Sequence, residues 1–513
     1  MNKKNIKRIT LLNVIANVIL QLANILSWFI IPKIVLSYFG SSVNGLVSSI
    51  TQFLSYITLI EGGITSVVTA TLYKPLVEKD TRKISSIIKT SNNFYRKIGI
   101  IFILYCIALA IVYPIIFDVG FSYIYVFTLV IILSLNLLIQ YMFSLTLKNL
   151  LNADKKGYIV SFVQTIILIL GVILAYISTK IYPSIHILKL LTGLLFALQP
   201  IILNRYVKKN YHIDYSMEED KDLLKQRWNG FAINLAAFIH NCTDIAILTI
   251  FTNLSTVSIY SVYTIVTTGL KSIFNAISNA IVPTIGLAYA SEDAEELNKK
   301  MDMYELITFN LVFYMFTIAG LLITPFVLIY TSGINDANYN QLLFGILLVI
   351  AEALYLIKFP HLNLSYTANK FKELTKPAFI EAGINIIVSL ILVNKYSMIG
   401  VTIGTICGMI YRMIYQVYFT KQLIKSRKQI IFYKKLFIFI IFTLIGLVIS
   451  NLVMIKAEVN ILNWTLNAIL YAVIFGVLYL IADCIFFKDE INMIKKYFIK
   501  EGKNELCNYS RRG

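Results

Sequence analysis

The chain of 513 residues is 58% hydrophobic and 14% charged, and its formal net charge is +19. Soluble globular domains are about 45–50% apolar and about 25% charged, so this composition excludes an ordinary soluble protein. The positive charge does not indicate nucleic-acid binding, because the lysines and arginines lie between long apolar runs.

The apolar residues form runs long enough to cross a bilayer. A helix of about 20 apolar residues spans the hydrocarbon core and satisfies its own backbone hydrogen bonds. No cleavable signal peptide is expected, since the basic start leads directly into a full-length span. We predict an all-α integral membrane protein with about 14 transmembrane helices. The predicted spans are 10–37, 43–72, 94–117, 122–147, 158–178, 184–204, 229–252, 256–290, 303–330, 340–366, 377–394, 397–420, 431–454 and 461–487.

Basic residues in the loops indicate the orientation of these spans. Most lysines and arginines fall on the side that holds the N-terminus, whereas the opposite loops hold only Lys180, Lys395 and Lys456. Because cytoplasmic loops are enriched in Lys and Arg, both termini are predicted to be cytoplasmic. The same basic collar is expected to interact with anionic membrane lipids.

A long polar segment at 206–228 separates six spans from eight. Two six-span bundles that begin and end on the same side would be repeats of parallel orientation. The predicted organisation is an N-lobe at 1–205 with spans 1–6, a cytoplasmic interlobe linker at 206–228, a C-lobe at 229–425 with spans 7–12, spans 13 and 14 in 426–490, and a basic cytoplasmic tail at 491–513.

Two spans carry polar residues at helical spacing, so each set is expected to lie on one helix face. The second span contributes Asn44, Ser48, Thr51, Gln52, Ser55, Thr58 and Gly62, and the eighth contributes Thr264, Thr267, Thr268, Lys271, Asn275, Ser278 and Asn279. A shift of 216 residues aligns parts of the two sets. Packing between helices through small polar residues is the alternative. Equivalent positions in two lobes favour a water-filled cavity.

Ionisable residues inside spans cost several kcal/mol unless they face protein or water. The candidates are Lys33, Glu61, His240, Asp244, Lys271, Glu305, Glu352, Lys358, Glu381, Arg412 and Asp483. Glu305, Glu381 and Asp483 lie near cytoplasmic ends, so interfacial solvation is expected for them. Lys33 would either serve the cavity or reach towards the outer interface.

Two deep cations have the chemistry to bind a diphosphate. Lys271 presents a compact ammonium and Arg412 a bidentate guanidinium, with pairing to Glu352 or Glu61 as the structural alternative. The predicted substrate-binding residues are Lys33, Asn44, Ser48, Gln52, Ser55, Lys271, Asn275, Asn279, Lys358 and Arg412. The predicted ion-coupling residues are Glu61, His240, Asp244 and Glu352. His240 and Asp244, one helical turn apart, would relay protons or form an internal hydrogen-bonded pair.

The sequence contains no H-E-x-x-H, P-loop, G-x-S-x-G or Rossmann fingerprint, and its five cysteines form no C-x-x-C pair. The short outer loops leave little room for a membrane glycosyltransferase or polymerase. We therefore expect a transporter rather than an enzyme, with no disulfide framework, no metal site and no cofactor other than a coupling H⁺ or Na⁺.

Three segments carry a family resemblance. Residues 39–64 (FGSSVNGLVSSITQFLSYITLIEGGI), 241–263 (NCTDIAILTIFTNLSTVSIYSVY) and 377–419 resemble bacterial polysaccharide flippases of the multidrug/oligosaccharidyl-lipid/polysaccharide exporter superfamily. The resemblance covers roughly residues 1–490. It implies two six-helix lobes in a V shape that open alternately to either side. Some relatives line the cavity with several arginines, whereas only Arg412 lies deep here.

The resemblance also implies a cargo. Undecaprenyl-diphosphate-linked oligosaccharide repeat units would move from the inner to the outer leaflet of the bacterial cytoplasmic membrane for capsule, exopolysaccharide or wall-polysaccharide assembly. Polysaccharide polymerases and glycosyltransferases are the expected partners. An ion-coupled exporter of cationic drugs from the same superfamily is the main alternative, and a membrane enzyme of polysaccharide assembly is the third.

Overall fold

The structure is a computed structural model that describes residues 3–61, 63–117, 120–220, 238, 242–291, 293–453 and 460–494. Its regular structure in these residues is helical and includes no strand, which confirms the predicted all-α class. The α-helices are α1 Lys3–Ser55, α2 Thr58–Glu61, α3 Ile64–Glu78, α4 Thr81–Ile116, α5 Tyr123–Ile139, α6 Leu145–Ala153, α7 Gly157–Ile181, α8 Ile185–Leu195, α9 Leu198–Asn210, α10 Asp244–Phe251, α11 Leu254–Ala290, α12 Ala294–Tyr330, α13 Leu342–Ile357, α14 Phe359–Thr367, α15 Phe371–Thr420, α16 Ile430–Val453 and α17 Ile461–Phe486.

Eleven helical segments within the described residues are long and apolar enough to cross a membrane, so the chain is a multi-pass membrane protein. Two of these segments contain a residue with non-helical dihedral angles, Gly40 in α1 and Ser397 in α15. Gly40 falls between the predicted spans 10–37 and 43–72, and Ser397 is the first residue of the predicted span 397–420, so each break lies at a predicted boundary. Half of the seventh predicted span, 229–252, lies outside the described residues, so the predicted number of fourteen is approximate.

The break in α1 needs a glycine. Gly40 has φ 81° and ψ 177°, a region that glycine enters without a steric penalty. The next residue, Ser41, donates its backbone N–H to Asp336 Oδ2 over 2.7 Å and its hydroxyl to Oδ1 over 2.6 Å. A Cβ atom at position 40 would lie 2.6 Å from the same Oδ2. The carboxylate therefore fixes the turn at a point that leaves no room for a side chain.

The chain forms two compact units. Unit 1 comprises Met1–Ile265, Gly333–Asn338 and Leu392–Met398, and unit 2 comprises Val266–Ser332, Tyr339–Ile391 and Ile399–Gly513. In unit 1, α1 packs along α7, and α4 packs against α5. In unit 2, α12 packs against α13, α16 and α17. The lobe and linker boundaries predicted around 206–228 stay predictions.

Part of the predicted interlobe segment lies along α4 in unit 1. Residues 206–210 complete α9, and 211–220 follow the first turns of α4. The contacts are Ser86 Oγ to the Glu218 carbonyl, Lys89 Nζ to the Met217 carbonyl, Asn93 to Glu219, and Lys83 to Asp220. The hydroxyl and backbone N–H of Ser216 hold the pKa of the Asp214 carboxyl below its ordinary value. This stretch is therefore anchored by polar contacts.

A π-helix interrupts the fourth predicted span. Residues Gln140–Ser144 form a π turn between α5 and α6, without a break in the helical path. Upstream, α5 packs against α4 and α8, whereas downstream α6 packs against α3, α7 and α9. The span keeps α4 as a neighbour on both sides of the π turn, while its other neighbours change.

Candidate functional site

The polar face of α1 borders a cavity in unit 1. Ser48, Thr51, Gln52 and Ser55 line a space of about 450 Å³, together with Ser261 of α11. The remaining lining residues are mostly apolar: Ile31, Pro32, Val35, Val47, Cys242 and Ile245. Of the residues expected from helical spacing to share one face of the second span, five line this space, whereas Thr58 does not and Gly62 lies outside the described residues; the five are Asn44, Ser48, Thr51, Gln52 and Ser55. The cavity therefore presents hydroxyl and amide groups within a part of the chain that is otherwise apolar.

Hydrogen bonds divide this face of α1 into a residue that joins two helices and residues whose side chains border the cavity. Asn44 is buried and donates to Ser258 Oγ over 2.9 Å and to Ser261 Oγ over 3.3 Å, which ties α1 to α11. Gln52 and Ser55 bond to each other. Asn44 thus joins two helices, which is the packing role predicted as the alternative to a cavity, while Gln52 and Ser55 remain on the cavity wall.

Lys189, which was not among the residues predicted from the sequence, lies on the wall of the same cavity. It belongs to α8. In the part of the chain that the structure describes, its ammonium has neither a hydrogen bond nor an ion pair. The helix that carries it packs against α5 and α7 and buries Leu188 completely. An ionisable residue within a span was the signal that could have identified Lys189.

The predicted ion-coupling acids of unit 1 already have partners. Glu61 accepts hydrogen bonds from the hydroxyls of Thr65 and Tyr141. Asp244 is buried and accepts from Tyr260 Oη over 2.7 Å. His240 lies outside the described residues, so its relay with Asp244 stays a prediction. Both carboxylates thus accept hydrogen bonds from hydroxyl groups.

In unit 2 the deep cations are engaged with protein groups. Lys271 Nζ lies 2.7 Å from Glu352 Oε1, which is one of the pairings predicted as the alternative to cargo binding. Arg412 is 2% exposed, and its Nε lies 3.5 Å from Glu381 Oε2. Arg412 thus pairs with a carboxylate on the same long helix α15, whereas Glu352, one of the partners predicted for it, pairs with Lys271.

Four further candidates have different surroundings. Lys358 is 2% exposed, and its ammonium lies 3.1 Å from Met409 Sδ and 4.3 Å from the centre of the Tyr355 ring. Lys33 and Asn275 are half-buried, and Asn279 is exposed. Lys33 is next to Pro32, which lines the cavity of unit 1. The substrate-binding roles of these residues stay predictions.

Three acids do not have the solvated positions expected for them. Glu305 is fully buried, while Glu381 and Asp483 are 5% and 7% exposed. Asp483 accepts both hydrogen bonds from the Asn310 amide over 3.0 and 3.1 Å. The expectation of interfacial solvation was wrong, because it considered each helix end without the polar groups on neighbouring helices.

Comparisons with solved structures identify the fold. A structure of the lipid II flippase MurJ in an inward-closed conformation matches with a TM-score of 0.72 and 17% identity, over 94% of this chain and 100% of that chain. An inward-facing multidrug resistance MATE family transporter of the MOP superfamily matches with a TM-score of 0.59 and 13% identity, over 78% of this chain and 96% of that chain.

The Vibrio cholerae MATE transporter VcmN in its bent form matches with a TM-score of 0.53 and 14% identity, over 82% of this chain and 95% of that chain. No family model and no curated protein matches the chain. At these identities the likeness is one of fold. The chain has the fold shared by the MurJ flippase and the MATE transporters of the MOP superfamily, as its resemblance implied.

Proposed function

We propose that the protein is a flippase for undecaprenyl-diphosphate-linked oligosaccharide repeat units in the bacterial cytoplasmic membrane. The observation that carries this proposal is the ammonium of Lys189, which has no hydrogen-bond or ion-pair partner among the described residues and lies on the wall of a cavity in unit 1 that also holds hydroxyl and amide groups. A charge at membrane depth costs several kcal/mol, so its retention favours a ligand that compensates it. A diphosphate is such a ligand, because an ammonium binds phosphate oxygens as a point charge.

The neighbouring groups suit the rest of such a headgroup. Ser48, Thr51 and Gln52 supply donors and acceptors for sugar hydroxyls, and the cavity would remove these groups from the hydrocarbon. The polyprenyl tail would stay in the lipid. The likeness in fold to a lipid II flippase supports a lipid-linked cargo of this kind. Movement between leaflets would follow alternating access.

Replacing Lys189 by Gln tests the proposal. The variant keeps a polar side chain of similar length but loses the positive charge, so we expect diphosphate-linked cargo to bind at least about tenfold less well. The measurement is translocation of a fluorescent polyprenyl-diphosphate oligosaccharide in proteoliposomes, together with surface polymer in a strain that lacks the chromosomal gene. Lys189→Arg is expected to retain most of the activity.

Lys180→Gln is the matched control, because it removes an equal charge from the exposed end of α7 in the same unit. This control should translocate cargo at the wild-type rate. Wild-type translocation by Lys189→Gln, at equal amounts of protein in the membrane, would contradict the proposal.

Export of cationic drugs is the second candidate, favoured by the fold shared with MATE transporters. The observed cavity fits it less well, since Lys189 would repel a cation and neither Glu61 nor Asp244 is among the described residues that line the cavity. Raised drug susceptibility with intact surface polysaccharide in a deletion strain would favour this second function.

A further inference from the structure

A groove distinct from the cavity of Lys189 lies in the same unit. It has a volume of about 690 Å³ and runs between α4, α9 and the π turn that joins α5 to α6. Met142 and Phe143 of the π turn contribute to its wall, and π turns are frequent at functional sites. Among the described residues, the groove and the cavity share no lining residue. We call this space the α4–α9 groove.

The α4–α9 groove crosses the predicted boundary of the membrane. Lys89 and Lys208 lie outside the predicted spans, on the side of the basic loops, and Arg96 lies just inside a span. Phe143 lies farther inside, and Ile139 lies one further helical turn into the membrane. One end of the groove is therefore at the depth of lipid headgroups, and the other end is at the depth of acyl chains.

The headgroup end of the groove is positively charged. The described lining residues include three cations and no Asp or Glu. Lys89 Nζ donates to a backbone carbonyl over 2.7 Å, whereas Arg96 and Lys208 are exposed and have neither a hydrogen bond nor an ion pair within the described residues. Glu219 lies beside the groove and accepts a hydrogen bond from the Asn93 amide over 2.8 Å. Two positive charges are thus available to an anion.

We propose that the α4–α9 groove binds an anionic glycerophospholipid from the leaflet on the predicted cytoplasmic side. The Arg96 guanidinium would bind two oxygens of the phosphate, and the Lys208 ammonium would bind it as a point charge. Asn92 and Asn204 line the same space and offer amide groups to a hydroxylated headgroup, such as that of phosphatidylglycerol. An acyl chain would cover Phe143. This site is independent of the proposed cargo.

The two ends of the groove together favour this class of lipid. A soluble anion, such as inorganic phosphate, would leave Phe143 and Ile201 uncovered, and these side chains are 56% and 47% exposed. A phospholipid without net charge would leave the positive charges of Arg96 and Lys208 uncompensated. An anionic phospholipid meets both conditions, and the bilayer presents it at the depth of the groove.

Native mass spectrometry of the full-length protein with added lipid tests the proposal. We expect the wild-type protein to retain phosphatidylglycerol in preference to phosphatidylcholine at equal concentrations. Arg96→Gln combined with Lys208→Gln should bind phosphatidylglycerol at least about tenfold less well, because each lost charge weakens the attraction to the phosphate. Equal retention of the two lipids by the wild-type protein would overturn the proposal.

Lys97→Gln combined with Lys209→Gln is the matched control. These exposed lysines directly follow Arg96 and Lys208 on the same two helices, yet they do not line the groove. The control removes the same net charge, so it should bind phosphatidylglycerol as the wild-type protein does. An equal loss of binding in the two double variants would show a diffuse attraction to the basic surface and would contradict a specific site.

Photo-cross-linking distinguishes the phospholipid from other occupants. In nanodiscs with equal amounts of phosphatidylglycerol and phosphatidylcholine, benzoylphenylalanine in place of Phe143 should form adducts mainly with phosphatidylglycerol. The same replacement of Phe162, which is 37% exposed on α7 and outside the groove, should form adducts with both lipids alike. Equal adducts with the two lipids at position 143 would contradict the proposal. Displacement of the adduct at position 143 by a polyprenyl diphosphate would also contradict it, because the groove would then hold the cargo.

Discussion

The ionisable side chains within the membrane-spanning helices differ in whether a charged partner lies beside them. Lys271 is paired with Glu352, and Arg412 with Glu381. Lys189 has no such partner within the described residues. An ionisable residue inside a predicted span indicates a candidate site, and on this basis Lys271 and Arg412 were predicted from the sequence. Lys189 meets the same criterion, so it too could have been predicted.

The partners themselves could not be predicted. Lys271 and Glu352 are 81 positions apart, and only the packing of separate helices brings them within 2.7 Å. The Asp483–Asn310 contact joins residues 173 positions apart. Hydropathy and charge patterns describe each helix alone, so they carry no information on which face of one helix meets which face of another.

Neutralising Lys271 should destabilise the protein. Lys271→Met leaves the Glu352 carboxylate, 9% exposed, without its ammonium, so we expect a loss of about 3 kcal/mol. Adding Glu352→Gln should recover most of this loss, because neither charge is then left alone. The measurement is thermal unfolding of the purified protein in one detergent.

Lys189→Met is the contrasting variant, since the described residues place no counter-charge beside its ammonium. It should unfold at or above the wild-type temperature while losing transport. If Lys271→Met were as stable as wild type, the ion pair in unit 2 would have no structural role.

At the scale of elements, the helices follow the apolar runs closely. Predicted spans at 158–178, 431–454 and 461–487 correspond to α7, α16 and α17 within a few residues. The breaks at Gly40 and Ser397 also fall where the apolar runs part. Local composition decides these features. The π turn at 140–144 and the burial of Glu305 depend on neighbouring helices, and the sequence alone did not reveal them.

Gly45 should be intolerant of any side chain. A Cβ atom there would lie 1.8 Å from the Leu254 carbonyl oxygen, so Gly45→Ala would push α1 away from the start of α11. We expect a loss of about 2–3 kcal/mol in the free energy of unfolding, as for an overpacked core. Thermal unfolding in detergent and the yield of monodisperse protein would measure it.

Gly269 supplies the control, because a Cβ atom there meets nothing within 4 Å. Gly269→Ala should leave the stability unchanged or raise it by up to about 1 kcal/mol, through helix propensity. Similar behaviour of the two alanine variants would show that the close approach at Gly45 does not matter.

At the scale of the whole molecule, composition and charge placement were sufficient for the membrane-protein class. The structure and its likeness to transporters agree with that class, whereas the orientation rests on the distribution of lysines and arginines. The cargo could not follow from the sequence, because sugar recognition is spread over many individually ordinary polar contacts.

Thiol labelling on intact cells tests the orientation. In a background without the five native cysteines, Lys180→Cys should react with a membrane-impermeant maleimide from outside, and Lys208→Cys only after permeabilisation. The reverse pattern would place the termini outside. Equal labelling of both before permeabilisation would indicate leaky cells and calls for a cytosolic marker as control.

The π turn at Gln140–Ser144 determines which side of α6 is buried. A π turn accommodates one residue more than an α turn, and one residue rotates everything beyond it by about 100°. That rotation directs the buried side of α6 towards α3 and away from the direction set by α5. Deleting one residue here would restore an uninterrupted α-helix at the expense of α6, whose buried Asn149 and Leu150 would swing round the axis. The extra residue is therefore tied to the packing of α3, because its removal would require α3 to pack against a different side of α6.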